Sequence, residues 1–413
     1  MSPIIRLLKD RRGAVALVMA AATPVLVGGL GLSIDTIQWT LTKRQMQRQA
    51  DSGAIAGAYG LAQGQDVASV VANDLSRNAH VTLTNAPIVE NAPTAGPQAG
   101  NNRAVRVVLS TDVNLPFSGF FLNGPVTIPA EATASLVANG EFCALSLEQG
   151  NATGITLWGN STVNLGCGMA TNATSANAVA AGGSSTVSAS PIAAVGGVPQ
   201  SSNYAPGTVL IPYAVPQPDP FKALPDPTVS GGAQSGNVNS NQTRTLNPGT
   251  YSGMDLKGTV TLNPGTYVID GGDLSIGAQA KVTGNGVTFI LTSKTAANNP
   301  NSIGQIKMNG GATLNLTAPS SGTYQGVLIY QDRRAVLSNQ SNKVNGNSSS
   351  KLQGAIYVPN QEVEFTGTTG LNTNCFQLVA RRITWSGNSA ISNVCPAGSG
   401  AQSFTGTAVR LVG

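Results

Sequence analysis

The chain has 413 residues, of which 10% are charged and 5% aromatic, with 49 glycines and a formal net charge of +5. That length exceeds one ordinary domain. Low charge with many small polar residues favours an extracytoplasmic, β-rich protein over a cytosolic enzyme. The positive charge is spread along the chain outside one N-terminal cluster, so no basic stripe supports nucleic-acid binding.

From Gly13 to Ile34 no residue is charged. About 20 apolar residues suffice to cross a hydrocarbon core, so this run is read as a transmembrane helix. Arg6, Lys9, Arg11 and Arg12 precede it and Asp35 follows it, which puts the N-terminus in the cytoplasm and the rest outside. A cleaved signal peptide is the competing reading, but the run is long, ends in no clean small-x-small site and continues into a polar helix.

That helix is expected to run from Asp35 to about Ala62. Ala50, Ala54 and Ala58 recur every four residues, with Gly53, Gly57 and Gly60 beside them. A stripe of small residues admits another helix closely, either from a partner or from the chain's own following domain. A further helix is expected at 66–78, and alternating runs at 103–110 and 126–137 read as strands of a small α+β module.

Beyond Phe142 short alternating segments are broken by Gly-Asn, Gly-Gly and Asn-Gly corners. A Pro-rich stretch, Val198 to about Pro227, reads as an extended linker draped over the surface. Leu246-Asn247-Pro248-Gly249-Thr250-Tyr251 then recurs sixteen residues later as Leu262-Asn263-Pro264-Gly265-Thr266-Tyr267. One such unit cannot bury its own apolar face, so stacking is required.

The expected architecture is therefore mixed. It has a cytoplasmic tail (1–12), a transmembrane helix (13–34) and a long helix with a small α+β module (35–141). A first β-solenoid segment (142–197), a linker (198–245), a parallel, β-helix-like solenoid domain (246–396) and a tail (397–413) follow.

The four cysteines allow three pairings, and proximity favours Cys143 with Cys167 and Cys375 with Cys395. Each would close a loop worth roughly 3 kcal/mol in the chain-entropy model. His80 is the sole histidine, which argues against zinc and against histidine-assisted nucleophiles. Glycan chemistry needs paired carboxylates or clustered aspartates. Asp255, Asp270, Asp273 and Asp332, the last beside Arg333 and Arg334, are the candidates, with turn formation the simpler use. Glu362 and Glu364 alternate on one strand face, where solvation is the default.

The segment 11–58 resembles the start of TadG-like and TadE-like proteins of Flp (tight-adherence, type IVb) pilus assembly. The resembling features are Arg11-Arg12-Gly13, Pro24, Asp35, Lys43-Arg44-Gln45-Met46-Gln47 and Ala50-Asp51-Ser52-Gly53-Ala54, ending in Ala56-Gly57-Ala58. Later stretches at 143–147, 163–168, 284–289, 326–333 and 354–361 are similar to the long C-terminal region of TadG-like proteins. Type IV prepilins carry a Glu five residues after the cleaved glycine, whereas Val18 stands there in this chain. That departure points away from a processed, polymerising pilin.

The resemblance implies a non-enzymatic, cofactor-free pilus-assembly or adhesion accessory, anchored once in the bacterial inner membrane with its bulk in the periplasm. The implied partners are pilus secretion components or TadE-like pseudopilins met through the N-terminal helix, with peptidoglycan and outer-membrane components as further candidates. A glycan-binding or adhesive solenoid, or a β-helix lyase or hydrolase, is the alternative.

Overall fold

The computed structural model describes residues 14–337, 341–345, 350–367, 371–387, 390–394 and 404–412. Two compact units form, the first running to Val137 and taking in the chain again from Val409, the second Ala138–Ala408.

In the first unit one uninterrupted helix, α1, spans Ala14–Ala62. Along its apolar part the hydroxyls of Thr23 and Ser33 donate to the carbonyls of Met19 and Gly29, each at 2.7 Å. A hydroxyl satisfied within its own helix needs no water, as a span requires. A second helix, α2 (Val67–Arg77), starts where the Asp66 carboxylate accepts the Ser69 N–H at 2.9 Å, a normal N-cap. Strands β1 (Ile88–Asn91), β2 (Ala104–Val113) and β3 (Val126–Ser146) follow, β2 pairing antiparallel with both neighbours. Alternate residues of β2 are buried, so Val105, Val107 and Leu109 join one core with Met46, Ala50, Ala54, Ala58, Val71 and Leu75.

The second unit is a large sheet of short parallel strands. After β3 come β4 (Ile155–Leu157), β5 (Thr162–Asn164), β6 (Gly168–Thr171), β7 (Val179–Ala181), β8 (Thr186–Ser188), β9 (Ile192–Ala194) and β10 (Leu210–Ile211). The next strands are β11 (Thr243–Leu246), β12 (Gly249–Tyr251), β13 (Met254–Leu256), β14 (Thr259–Leu262), β15 (Gly265–Asp270) and β16 (Leu274–Ile276). Then follow β17 (Lys281–Asn285), β18 (Val287–Thr292), β19 (Ile306–Met308), β20 (Thr313–Thr317), β21 (Val327–Gln331) and β22 (Asn342–Val344). The longer β23 (Lys351–Gly367) and β24 (Leu371–Gly387), then β25 (Ala390–Val394) and β26 (Phe404–Leu411), complete the order.

From β3 to β6 and from β11 to β19, strands pair in parallel with the strand three further on, as β4 with β7, β11 with β14, β12 with β15 and β13 with β16. The single strands β23 and β24 each serve several ladders. The chain order and the spatial order then part. β24 pairs with β3 and β4, and β25 with β5, so the late strands stack directly on the early ones. The segments at 142–197 and 246–396 thus form a single parallel sheet.

One ladder runs through β15, β18, β21, β23, β24, β3, β6 and β9. Inward, Phe289, Ile329, Ile356, Leu378, Ala144, Met169 and Ile192 fill the main core. Outward, Ile290, Tyr330, Tyr357, Val379, Leu145, Ala170 and Ala193 align register by register into a second core. Strands buried on both faces read as unbroken apolar runs, which is the texture of VTFILT and VLIYQ. Most of the stretches 143–147, 326–333 and 354–361 lie on strands of this ladder, whereas 163–168 lies on β5 and the corner before β6.

The outer face is covered by the Pro-rich stretch, whose Ile211, Ala214, Phe221 and Leu224 pack onto it. The segment 198–245 also meets both ends of the sheet: Tyr204 of the Pro-rich stretch bridges Val187 at one end, while Gln234 and Val238 beyond it bridge Tyr251 and Leu256 at the other.

The sixteen-residue repeat has a structural meaning. In each copy the tyrosine hydroxyl donates back to the carbonyl of its asparagine, Tyr251 to Asn247 at 2.5 Å and Tyr267 to Asn263 at 2.8 Å. The two asparagines bond to each other at 2.7 Å, and the tyrosine rings stack with centroids 5.9 Å apart. Gly265 has φ 138°, a conformation closed to side chains, and so holds the corner. The repeat fixes the register of the first ladder only. Leu246 lies opposite Leu262, but Gly249 lies opposite Tyr267, because the intervening corner takes up two more residues.

Tyr267 is fully buried, and its hydroxyl also donates to the Leu246 carbonyl at 2.9 Å. Tyr267→Phe removes the one hydroxyl hydrogen shared by these carbonyls, leaving Leu246 its Asn263 N–H donor, and is expected to cost about 1 kcal/mol. Thermal unfolding against wild type measures it, and an unchanged midpoint would reject this role.

Candidate functional site: the anchoring helix and the polar joint of the sheet

The first candidate site is α1 itself, because its two halves face different surroundings. From Val15 to Ile34 its large apolar side chains are bare. It is, among the described residues, a single helix long and apolar enough to cross a membrane, which fits a single-pass anchor. Arg6, Lys9, Arg11 and Arg12 lie outside the described residues, as does the Cys375–Cys395 pairing.

The second half is buried by the chain's own residues. Ala50, Ala54 and Ala58 are wholly buried, and a Cβ added at Gly57 would lie 2.8 Å from Val105 and 2.9 Å from Val71. Of the two uses open to the small-residue stripe, the structure selects internal packing against α2 and β2. A partner helix therefore has no access to that stripe. Gly57→Leu should overpack this core and destabilise the unit by about 1–3 kcal/mol. Thermal unfolding of the detergent-solubilised protein reads the effect, and an unshifted melt would show the stripe to be loose.

At the boundary between the halves stands Asp35, 3% exposed, whose carboxylate accepts the backbone N–H groups of Phe117, at 3.0 Å, and Ser118. Sequence alone offered Asp35 as a topology mark. It also offered no hint that its ligands lie some eighty residues downstream.

In the second unit Cys143 and Cys167 are joined by a disulfide with Cα atoms 5.9 Å apart. It ties β3 to the start of β6. Glu148, just beyond β3, is 3% exposed and lies 2.9 Å from Arg381 Nε and 2.8 Å from Arg382 Nε, both on β24. Its other oxygen accepts the Gly150 N–H at 2.8 Å. This cluster pins the late strand to the early one. No local pattern pairs residues so far apart, although Arg381-Arg382 at the end of an apolar run is a visible signal.

The carboxylates considered for chemistry are taken up by backbone and neighbours. Asp332 is fully buried, accepting the Thr292 hydroxyl at 2.6 Å and the Arg334 N–H and Nε at 2.9 Å each. Asp270 accepts the Lys294 N–H and Asp273 the Gln305 N–H, each at 2.8 Å, while Asp255 pairs with Lys257 at 2.7 Å. The two glutamates are not simply solvated, since Glu362 accepts the Thr384 hydroxyl and Glu364 the Ser341 hydroxyl, both at 2.6 Å. Thr384 lies on the neighbouring β24, and Ser341 immediately precedes β22.

Arg333 holds the covering stretch. Its Nη1 donates to the Leu224 carbonyl at 2.8 Å, and its Nε to the Tyr357 hydroxyl at 2.8 Å. Tyr357 in turn donates to Asp219 at 2.7 Å. Burial, reinforced by the Asp219 carboxylate, pushes the Tyr357 hydroxyl well above the usual tyrosine range, so it stays a donor.

Burial opposes ionisation of Glu148, but the Arg381 guanidinium, the Gly150 N–H and Arg382 more than offset it and hold the carboxyl below the ordinary value of 4.5. A depressed folded-state pKa means the stabilisation is present above the unfolded pKa and is lost as pH falls through the folded one. Stability of the second unit should therefore fall as pH drops below the ordinary glutamate range. Glu148→Gln should flatten that decline and, with arginines that are partly exposed and screened, cost about 2 kcal/mol at neutral pH. Denaturant titrations of both proteins across pH test it, and parallel pH profiles would refute it.

Residues 13–63 match the family model described as putative Flp pilus-assembly TadE/G-like. No curated protein and no solved structure matches the chain. The matched span coincides with α1, including the bare apolar half, Asp35 and the buried small-residue stripe. The chain thus carries a TadE/G-like segment over residues 13–63.

Proposed function

We propose that this chain is a non-enzymatic accessory of Flp pilus assembly or adhesion, held in the bacterial inner membrane by residues 13–34. Its N-terminus lies in the cytoplasm and its bulk, including a periplasmic β-solenoid, lies outside. The observation that carries this reading is the division of the TadE/G-like helix into a bare apolar half and a half whose Ala50, Ala54 and Ala58 stripe is packed by its own unit. Such a helix anchors a folded unit and keeps only its membrane-facing surface for partners.

Pairing of each strand with the strand three further on supports the solenoid, since three short strands and three corners return the chain to stack on itself. Arg6, Lys9, Arg11 and Arg12 before the span support the orientation. The non-enzymatic reading is supported by Asp270 and Asp273, whose carboxylates accept backbone N–H groups from the next row, and by Asp332, taken up by the Arg334 N–H and the Thr292 hydroxyl. The partners are pilus secretion components or TadE-like pseudopilins, met through the membrane half of α1.

Crosslinking in native membranes, followed by purification and mass spectrometry, tests the reading. Recovery of pilus secretion components is expected, and recovery of none would sink it. In spheroplasts external protease should digest the bulk of the chain, and a protected C-terminus would reverse the orientation.

A further inference from the structure

The turn between β2 and β3 is the most apolar exposed loop of the first unit. No residue is charged between Asp112 and Glu131, and the stretch 115–122 reads Leu-Pro-Phe-Ser-Gly-Phe-Phe-Leu. A hairpin tip in water is normally polar, because its backbone and side chains meet solvent. Here Phe120 is 85% exposed, Phe121 74% and Leu122 48%. No part of the described unit covers them.

The loop's position along α1 is fixed. Asp35 accepts the N–H groups of Phe117 and Ser118, and the Phe117 ring lies against Gly31, where an added Cβ would run into it. Gly28 touches the same ring. Toward the other end, Lys43 donates to the Pro129 carbonyl and Gln47 to the Glu131 carbonyl at 2.8 Å, so the hairpin is held to the helix at two levels. With a rise of about 1.5 Å per residue, Gly31 lies about 6 Å and Gly28 about 10 Å inside the apolar run from Asp35. The loop therefore sits beside the last turns of the span, at the depth where aromatic and apolar side chains settle between headgroups and acyl chains. Trp39, 41% exposed, stands one turn beyond Asp35 and adds a ring at the same boundary.

We infer that the 115–122 loop is a second membrane contact, inserting Phe120, Phe121 and Leu122 into the leaflet that α1 enters from the side of the folded units. The inference rests on α1 being a membrane anchor. Its lipid-facing surface is continuous with that of the helix, since both flank the Phe117 ring. Asp35 acts as the positioning residue: a buried carboxylate with two backbone donors fixes the height and tilt of the loop. A hairpin tied in this way, with a helix and a loop both in lipid, restricts swivelling of the first unit about the single span.

The test uses the full-length chain in bilayers containing phosphatidylcholine brominated either near the headgroup or near the chain ends. Trp39→Phe with Trp158→Phe gives the background, whose remaining signal from the buried Trp385 is subtracted, and Phe120→Trp or Leu26→Trp is added to it. The Phe120→Trp fluorescence is expected to be quenched more by headgroup-proximal bromine and to be protected from iodide. Leu26→Trp should be quenched by the deep bromine. Quenching at position 26 with none at 120 overturns the loop contact and leaves the anchor intact. Quenching at neither position overturns the anchor itself. Protection at 120 from both bromine and iodide assigns the loop to a protein surface and also overturns the inference. Asp35→Asn should reduce bromine quenching at 120 without changing it at 26, and Gly31→Leu, which displaces the Phe117 ring, should do the same. If neither substitution alters position 120, Asp35 does not position the loop.

Discussion

The second unit depends on one requirement: the backbone of a short parallel strand must find its hydrogen-bond partners on other turns of the chain. Many strands here are three to six residues long, and none of those in the repeating rows can satisfy itself through a local hairpin. Each row is therefore completed by the next. The least local of these pairings is β24 on β3, joining residues more than two hundred positions apart. Glu148 between Arg381 and Arg382 secures that joint, with the Cys143–Cys167 disulfide on the early side of it. Both lie where strand pairing by itself is weakest in sequence terms, because closing so long a loop carries the largest entropic cost.

A parallel sheet buries both faces wherever something covers them, and the Pro-rich stretch is the cover for one ladder. Proline suits that task, since it holds an extended backbone without demanding ladder donors. Arg333 fixes the cover with hydrogen bonds to its carbonyls and stacks over the rings of Tyr330 and Tyr357, 5.7 and 5.5 Å from their centroids. The tyrosines, the arginine and the apolar outer row form a contiguous surface built from segments scattered along the chain.

The first unit meets a different constraint. One helix joins two kinds of surface, with Asp35 between them. Before Asp35 the large apolar side chains are bare; from Met46 to Ala58, alanine and glycine let α2 and β2 approach the helix axis closely. A carboxylate at that boundary is costly unless paired, and backbone donors from the β2–β3 turn meet the cost. The TadE/G-like segment thus couples a span to a folded unit through residue size and a single buried charge.

Much was legible in the sequence because it depends on local periodicity. The uncharged run, the continuing helix with its alanine spacing, the second helix and the strands of the first unit follow from side-chain patterns that neighbouring residues enforce. The sixteen-residue repeat gave the corners and one register, Leu246 opposite Leu262, but not the next, since corner length is free to vary. What the small-residue stripe packs against, which strand the late segment joins, and which ligands Asp35 and Glu148 find were settled only in three dimensions. Pattern tells which face of an element is apolar, whereas the partner is chosen by packing and hydrogen-bond satisfaction among residues distant in the chain.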